Sequence, residues 1–409
     1  MPDDLDVAIA GAGPAGSIAA LVLARAGVRV KLFDRARFPR HKLCGDTVNP
    51  GALALLERLG VAHAAGGFAI DDMLITGSSG VRVDGRYPAG VSGRAILRED
   101  FDRALLLAAA DAGAAVEQEI LVQGAASSGG AIDGLFVAGR DGSAKRVNAR
   151  LVIAADGRHS RVARSVGLGR YPQWPRRWAV GGYFSDVVGL TTSGEMHVRS
   201  RYYLGVAPLA GGLTNACVVT SDRRRLRDPT ALLLEALRAD PELSDRFRGA
   251  RLVSPPVVLG PLAVDATSAG VPGLLLAGDA AGFIDPMTGD GLRFAIRGGE
   301  LAALEAVTAL ERGFADAHAR LRFKRRREFR VKWVFNRGLR RLASSPSAVH
   351  VAAFTAAVLP SWIERAVRFA GDVPRCRTSP PRQSLLTGAG SCGEPGAEAE
   401  FGGISSRHM

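Results

Sequence analysis

The hydrophobic pattern changes period twice within the first thirty-four residues. Asp6 to Ala10 is a short apolar run of the kind that forms a buried strand. Gly11, Gly13 and Gly16 follow it, and Ile18, Leu21, Val22 and Ala24 then recur at helical spacing until Gly27. Val28 to Phe33 is a second buried strand, with Asp34 at its end. Val7 to Ala24 holds no charge, but its glycines and proline, and the strand–turn–helix order, argue against a membrane-spanning helix. Arg35 to Gly45 lacks apolar periodicity and reads as loop. Asn49-Pro50 starts a helix whose stripe is Ala52, Leu55, Leu56 and Leu59. Short strands follow at Met73–Thr76 and Val81–Val83, then a strand and helix within 94–115, and a β-meander over 116–147 with turns at Gly129 and Asp141.

The second half repeats these signals. Leu151 to Gly169 is a buried strand that runs into Asp156-Gly157 and a helix, and Trp178 to Thr220 is mostly strand. Pro229 to Phe247 has an amphipathic helical pattern. Leu274 to Ala280 is another buried strand, leading into a helix from about Leu292 to Leu310. A basic helix, a helical stretch over 348–370 and a Gly-, Ser- and Pro-rich tail complete the chain, and the tail is expected to be disordered. The organisation is therefore interleaved. An α/β, Rossmann-like nucleotide-binding unit is assembled from 1–66, 94–170 and 256–312. A β-rich substrate unit comes from 67–93 and 171–255, a helical appendage from 313–372, and the tail is 373–409.

The spacing around Gly11 has a chemical reading. Gly11 permits a tight turn, Gly13 lets a pyrophosphate approach the backbone, and Gly16 allows close packing of helix on strand. The helix start offers free N–H groups and a partial positive charge to a diphosphate. Asp34 is placed to accept hydrogen bonds from a ribose. Gly278-Asp279 repeats the logic, with a carboxylate delivered at a strand end. Pro286 to Gly291 then opens a helix whose N-terminus suits a developing anion.

Composition bounds the rest. The 409 residues are 47% hydrophobic, a globular composition. The net charge is +13, but Arg320 to Arg341 alone holds eleven basic residues and one acid, Glu328; that segment carries +10 and the remainder only +3. No nucleic-acid motif accompanies the charge, so nucleic acid is not an expected partner. Cys44, Cys217, Cys376 and Cys392 have neither metal-like nor disulfide-framework spacing, no metal is expected, and no secretory signal is visible. A cytoplasmic protein is expected, with peripheral contact at the inner membrane surface through 320–341 as an option. The basic helix is interleaved with Phe323, Phe329, Trp333, Val334, Phe335 and Leu339, a pattern that suits an anionic membrane, an acidic partner or a solvated structural helix.

These motifs in this order resemble the superfamily of FAD-dependent monooxygenases and geranylgeranyl-reductase-like oxidoreductases, with the para-hydroxybenzoate hydroxylase type of fold, over roughly residues 5–370. The resemblance implies FAD as cofactor, held by Gly11, Gly13, Ala15, Gly16, Asp34, Arg35, Cys44, Gly45, Arg98, Asp156, Gly157, Gly278, Asp279, Pro286, Gly289, Gly291 and Leu292. Pro39 to Gly45 looks like the Pro-x4-Cys-Gly motif of the geranylgeranyl-reductase branch, where Cys44 reads either as a redox or substrate contact or as a small packing residue. The aromatic strand usual in that branch is replaced here by Tyr202 to Pro208, without Trp, Phe or Lys. The tryptophan pair of halogenases is missing too, and the only N-terminal lysines are Lys31 and Lys42, so halogenation is not expected. No second Gly-x-Gly-x-x-Gly is present for a separate NAD(P)H domain. The expectation is a monooxygenase, hydroxylase or epoxidase, that takes electrons from NAD(P)H or a reductase partner. It would act through a flavin C4a-hydroperoxide on a lipophilic aromatic, polyketide or isoprenoid substrate of secondary metabolism. The alternatives are an FAD-dependent reductase of isoprenoid double bonds and a non-catalytic, flavin-bearing, membrane-docking protein. Cys44, His197 and Tyr203 are the catalytic candidates, with His197 read either as a proton relay or as a satisfied strand histidine.

Overall fold

Parallel strands buried on both faces read as continuous apolar runs, and here those runs form one sheet. The structure is a computed structural model that describes residues 5–44, 46–77, 80–172, 176–342, 365–366 and 368–373. Leu5–Ala10 is central in an eight-stranded sheet, parallel to Val30–Asp34 on one side and Ala144–Ala154 on the other. Ala115–Gln118 and Leu274–Leu276 extend the parallel array outward. Leu121–Ser128 and Ala131–Ala138 add antiparallel strands to Ala144–Ala154, and the turn between them is made by Gly129 and Gly130, both left-handed.

The helices are α1 (Pro14–Arg25), α2 (Pro50–Arg58), α3 (Arg98–Asp111), α4 (Arg161–Ser165), α5 (Pro229–Ala239), α6 (Gly291–Arg312) and α7 (Ala317–Leu342). Alternation along the central strand divides the core. Val7 and Ile9 face α1, α3 and α6, whereas Ala8 and Ala10 face the antiparallel strands and α4. The Asn49-Pro50 signal is realised as a cap, with Asn49 Oδ1 accepting the Ala52 N–H at 2.9 Å. The amphipathic pattern over Pro229–Phe247 yields a shorter helix than expected. α5 stops at Ala239 because Asp240 precedes Pro241, which disfavours helical geometry, and the Asp240 carboxylate is held by Arg199 at 2.8 Å.

The second eight-stranded sheet is built from Asp72–Thr76, Arg82–Arg86, Trp178–Ser185, Ser193–Val198, Tyr202–Pro208 and Thr214–Thr220, with short strands Arg251–Leu252 and Val257–Leu259. It is antiparallel except where Ser193–Val198 runs beside Asp72–Thr76. A small sheet of Thr47–Val48, Gly93–Ala95 and Phe68–Ile70 completes the described strand architecture around the site. The fold is α/β with C-terminal helices, as expected.

The basic helix α7 is not uniformly solvated. Arg325, Lys332 and Arg340 are buried. Buried Glu305 on α6 accepts from Arg320 at 2.7 Å and Lys324 at 2.6 Å. Buried Asp290 accepts from Lys332 at 3.0 Å and from Asn49 and Asn336 at 3.2 Å each. Charges taken out of water need partners of this kind. Gly45, the helical stretch before residue 365 and the tail from residue 374 lie outside the described residues. Among the described residues no helix is long and apolar enough to cross a membrane.

Two glycines of α1 and its exit test the packing argument. A Cβ on Gly16 would stand 1.8 Å from the Gly11 carbonyl oxygen, whereas one on Gly27 would meet nothing within 4 Å and suffer only from φ +74. Gly27→Ala is expected to cost about 1–2 kcal/mol. Gly16→Ala is expected to cost at least about 3 kcal/mol, because backbone must move. Urea midpoints of the two variants check this, and equal midpoints would contradict it.

Candidate active site

The three glycine motifs come together on one wall of a cavity of about 940 Å³ that reaches from the parallel sheet to the second sheet. Gly11, Gly13, Ala15, Asp34, Arg35, Cys44, Arg98, Asp156, Gly157, Gly278 and Asp279 all line it, as do Pro286, Gly289, Gly291 and Leu292 at the start of α6. Gly16 does not; it lies beneath the turn, against Gly11.

Each motif is shaped by a missing side chain. A Cβ on Gly11 would sit 2.5 Å from the Ala155 carbonyl oxygen, so the first turn rests directly on the Asp156 loop. A Cβ on Gly278 would sit 2.7 Å from that of Ala15, so the third motif rests on α1. Gly13 is the N-cap of α1 and supplies no side-chain bond to the first-turn N–H groups; a Cβ there would meet only the tip of Arg40, at 3.6 Å. The helix start thus presents bare backbone to the cavity, as an anionic phosphate requires. Asp34 has a structural task besides the expected one. Its carboxylate accepts the Ala12 N–H at 2.7 Å and the Ala36 N–H at 2.8 Å, which ties the glycine turn to the second strand and leaves lone pairs for a ribose. Asp156 Oδ2 caps α4 through the Arg161 N–H at 2.8 Å, while Asp156 Oδ1 and Arg158 Nε are buried with no hydrogen-bond partner among the described residues. Orphaned polar atoms on a cavity wall fit a polar ligand.

Cations dominate the rest of this wall. Arg98, only 5% exposed, forms a two-pronged pair with buried Asp102, both bonds at 2.8 Å, and Arg40 shares that carboxylate at 3.0 Å. Burial pulls the Arg98 guanidinium down, but Asp102 and a hydrogen bond to Cys44 more than offset it, so Arg98 stays charged. Lys42 opens onto the lumen yet has protein around it. Burial and the nearby charge of Arg98 push its ammonium down to about 8, against the opposing pull of Asp279. Lys42, Arg40 and Arg158 were not anticipated as site residues. Their signal was a basic stretch next to the Cys44 motif and an arginine directly after Asp156-Gly157.

The catalytic candidates separate. Cys44 lines the cavity, and its carbonyl accepts from Asn215 at 2.8 Å. Tyr203 also lines it, but its hydroxyl donates to Asp285 at 2.7 Å, and Asp285 accepts the Met287 N–H at 3.2 Å. Burial and Asp285 push this phenol well above its ordinary value, so Tyr203 holds the loop before α6. His197 is 0% exposed and does not line the cavity. Strand alternation puts Met196 and Val198 on the cavity side, while His197 bonds Thr76 at 2.9 Å and Glu195 at 3.1 Å. Both its ring nitrogens are hydrogen-bonded away from the cavity, the arrangement expected of a satisfied strand histidine. Beyond the glycine wall the cavity turns apolar, lined by Met73, Ile75, Met196, Met287, Phe335 and Leu339.

A helix start with bare N–H groups, a carboxylate at the end of the next strand, and a second helix opening across the cavity define a flavin-dinucleotide site. Residues 4–232 match the family model described as an FAD binding domain, and the chain belongs to this family of FAD-dependent oxidoreductases. It is 31% identical to digeranylgeranylglycerophospholipid reductase 1 of Methanopyrus kandleri over 80% of this chain and 86% of that protein. It is 33% identical to the menaquinone reductase of Mycobacterium tuberculosis over 74% of this chain and 76% of that one. A flavoprotein/dehydrogenase from Cytophaga hutchinsonii shares the fold with TM-score 0.79 at 20% identity, covering 90% of this chain and 93% of that one.

Asp46, two residues beyond Cys44, went unremarked in the sequence. It is fully buried and left-handed at φ +51. Its Oδ2 accepts from Tyr183 at 2.8 Å and Asn215 at 2.7 Å, and Asn215 also bonds the Cys44 carbonyl, so this carboxyl helps fix the Cys44 loop. Burial raises Asp46 to about 6, against the lowering effect of those two hydrogen bonds. A carboxyl raised on folding opposes the folded state once ionised. Stability is full below its unfolded value near 4 and declines as pH rises to about 6, by on the order of 3 kcal/mol. Asp46→Asn keeps an acceptor and tolerates the left-handed backbone. The variant is expected to lose that decline in urea titrations between pH 4 and 7; parallel curves for the two proteins would refute the assignment.

Proposed function

We propose that this chain is an FAD-dependent reductase of isoprenoid double bonds, with NAD(P)H as electron donor. The observation that carries the reading is the continuity of the cavity. A dinucleotide cradle passes without a break into an apolar wall of Met73, Ile75, Met196, Met287, Phe335 and Leu339, suited to a flexible hydrocarbon chain. Two relatives whose names declare them reductases, one of a digeranylgeranyl lipid and one of menaquinone, favour this over the oxygenase expected from the motifs.

Bound FAD would supply hydride chemistry. Gly11, Gly13 and the start of α1 would hold its pyrophosphate, and Asp34 its ribose. Arg98, kept charged by Asp102, would steady the phosphate and ribose region and the Cys44 thiol. The Gly289–Leu292 helix start would face the negative charge of the reduced cofactor. The methionine and aromatic wall would exclude water and align the alkene. Reduction of a carbon–carbon double bond adds a hydride to one carbon and a proton to the other. Lys42, protonated at neutral pH and lowered to about 8, is a proton-bearing group facing that space, and Cys44 lines the same space.

Strictly anaerobic turnover tests the proposal. The FAD-loaded protein, given NADPH and either a geranylgeranyl lipid or menaquinone, is expected to yield product carrying two added hydrogens per reduced bond by mass spectrometry. Product formed only in air and carrying an oxygen atom from O2 would overturn the proposal in favour of a monooxygenase.

A further inference from the structure

The outward face of α7 has no role in the site. At 100° per residue, Phe323, Arg326, Arg327, Arg330, Val331 and Val334 fall within an arc of about 140°. All six are exposed, and the three apolar side chains are strongly so: Phe323 at 69%, Val331 at 67% and Val334 at 68%. The three arginines have no ion-pair partner among the described residues, and Arg322 and Arg341 flank them, also exposed. The helix's one acid in this stretch, Glu328, is turned inward to Arg293 at 3.4 Å and Arg297 at 3.2 Å. The opposite face is spent on structure, through Lys332 to Asp290 and Arg325 to the Ala281 carbonyl.

We infer that this face docks the protein on an anionic lipid surface. Cations alone would suit several partners; cations alternating with exposed Phe and Val side chains narrow the choice. A nucleic-acid backbone would pair with the arginines and leave the apolar side chains in water. A bilayer interface accepts both, with guanidinium groups among phosphate headgroups and apolar side chains at the acyl boundary. The same helix carries Phe335 and Leu339 on the cavity wall, on the side turned away from the docking face. The inference does not require the reaction proposed above.

Co-sedimentation of the full-length, FAD-loaded protein with vesicles tests it. Vesicles of phosphatidylcholine with about one third phosphatidylglycerol are expected to bind at least about ten-fold more tightly than phosphatidylcholine alone, with binding weakened at about 0.5 M salt. Arg326→Gln with Arg330→Gln is expected to lower partitioning about 25-fold, roughly five-fold per arginine. Phe323→Ser should weaken binding to both kinds of vesicle. Flavin content and circular dichroism establish that each variant is folded, and the lipid and salt dependence of the wild type stands as a second measure should a variant misfold. Equal binding to neutral and anionic vesicles, binding to neither, partitioning unchanged in the double variant, or tighter capture by duplex DNA or an acidic polypeptide than by anionic vesicles would each overturn the inference. A protein that docks but reduces no isoprenoid bond would instead refute only the proposed reaction.

Discussion

Backbone meeting backbone at Gly11 is the contact on which the site depends. Three segments far apart in the chain, around residues 11, 155 and 278, reach van der Waals distance there only because glycine has no Cβ. The Ala155 carbonyl lies where a Gly11 side chain would be, the Gly11 carbonyl lies where one on Gly16 would be, and Ala15 lies where those of Gly278 and Gly299 would be. Close packing of this kind leaves no room for relaxation, since interiors are dense and transmit strain. The cofactor cradle is therefore formed by the same contacts that join α1, α6 and the parallel sheet. Asp34 adds the hydrogen bonds that keep the turn closed.

Charge has a second organising role. α7 carries far more cations than a surface helix needs, and the fold sorts them by face. Those turned inward meet Glu305 and Asp290, acids that are themselves fully buried and would be costly without them. Asp290 is also the residue from which α6 starts, beside the Gly289 and Gly291 that line the cavity. Lys332 and Asn336 thus hold the opening of α6 from outside the site. The appendage is in this way a brace for the cofactor cavity as well as part of its wall.

The parallel strands, α1, α2 and α6, and the glycines and carboxylates of the three motifs that line the cavity were legible in the sequence, whereas Arg40, Lys42 and Arg158 beside them were not. Short-range periodicity and glycine chemistry specify them locally. What was not legible depends on contacts between distant residues. Nothing in the run from Arg320 to Arg341 shows that Arg325 and Lys332 are buried, because their partners Ala281 and Asp290 are some forty residues away. Asp46 looks like a loop acid until Tyr183 and Asn215 close over it. Gly298 and Gly299 look like a weak point in a helix, where each costs up to about 1 kcal/mol. Only the position of Ala15 against Gly299 explains the second of them. The orientation of His197 could have been read: Glu195 and His197 share one strand face and Met196 and Val198 the other, and the polar pair could not both satisfy its hydrogen bonds against an apolar cavity.

Strand alternation also separates what the site can change from what it cannot. On Ser193–Val198 the side chains facing the cavity are apolar and make no hydrogen bond that holds the fold, whereas their neighbours Glu195 and His197 join Arg246 and Thr76 across the sheet. Replacing Met196 or Val198 reshapes the wall and leaves that network intact. Gly11 and Gly16 have no such freedom, because a side chain added at either would drive into backbone. Under the proposed reaction, the cofactor would rest on glycines packed against backbone, and the choice of substrate would fall to the methionine, valine and isoleucine side chains of the wall.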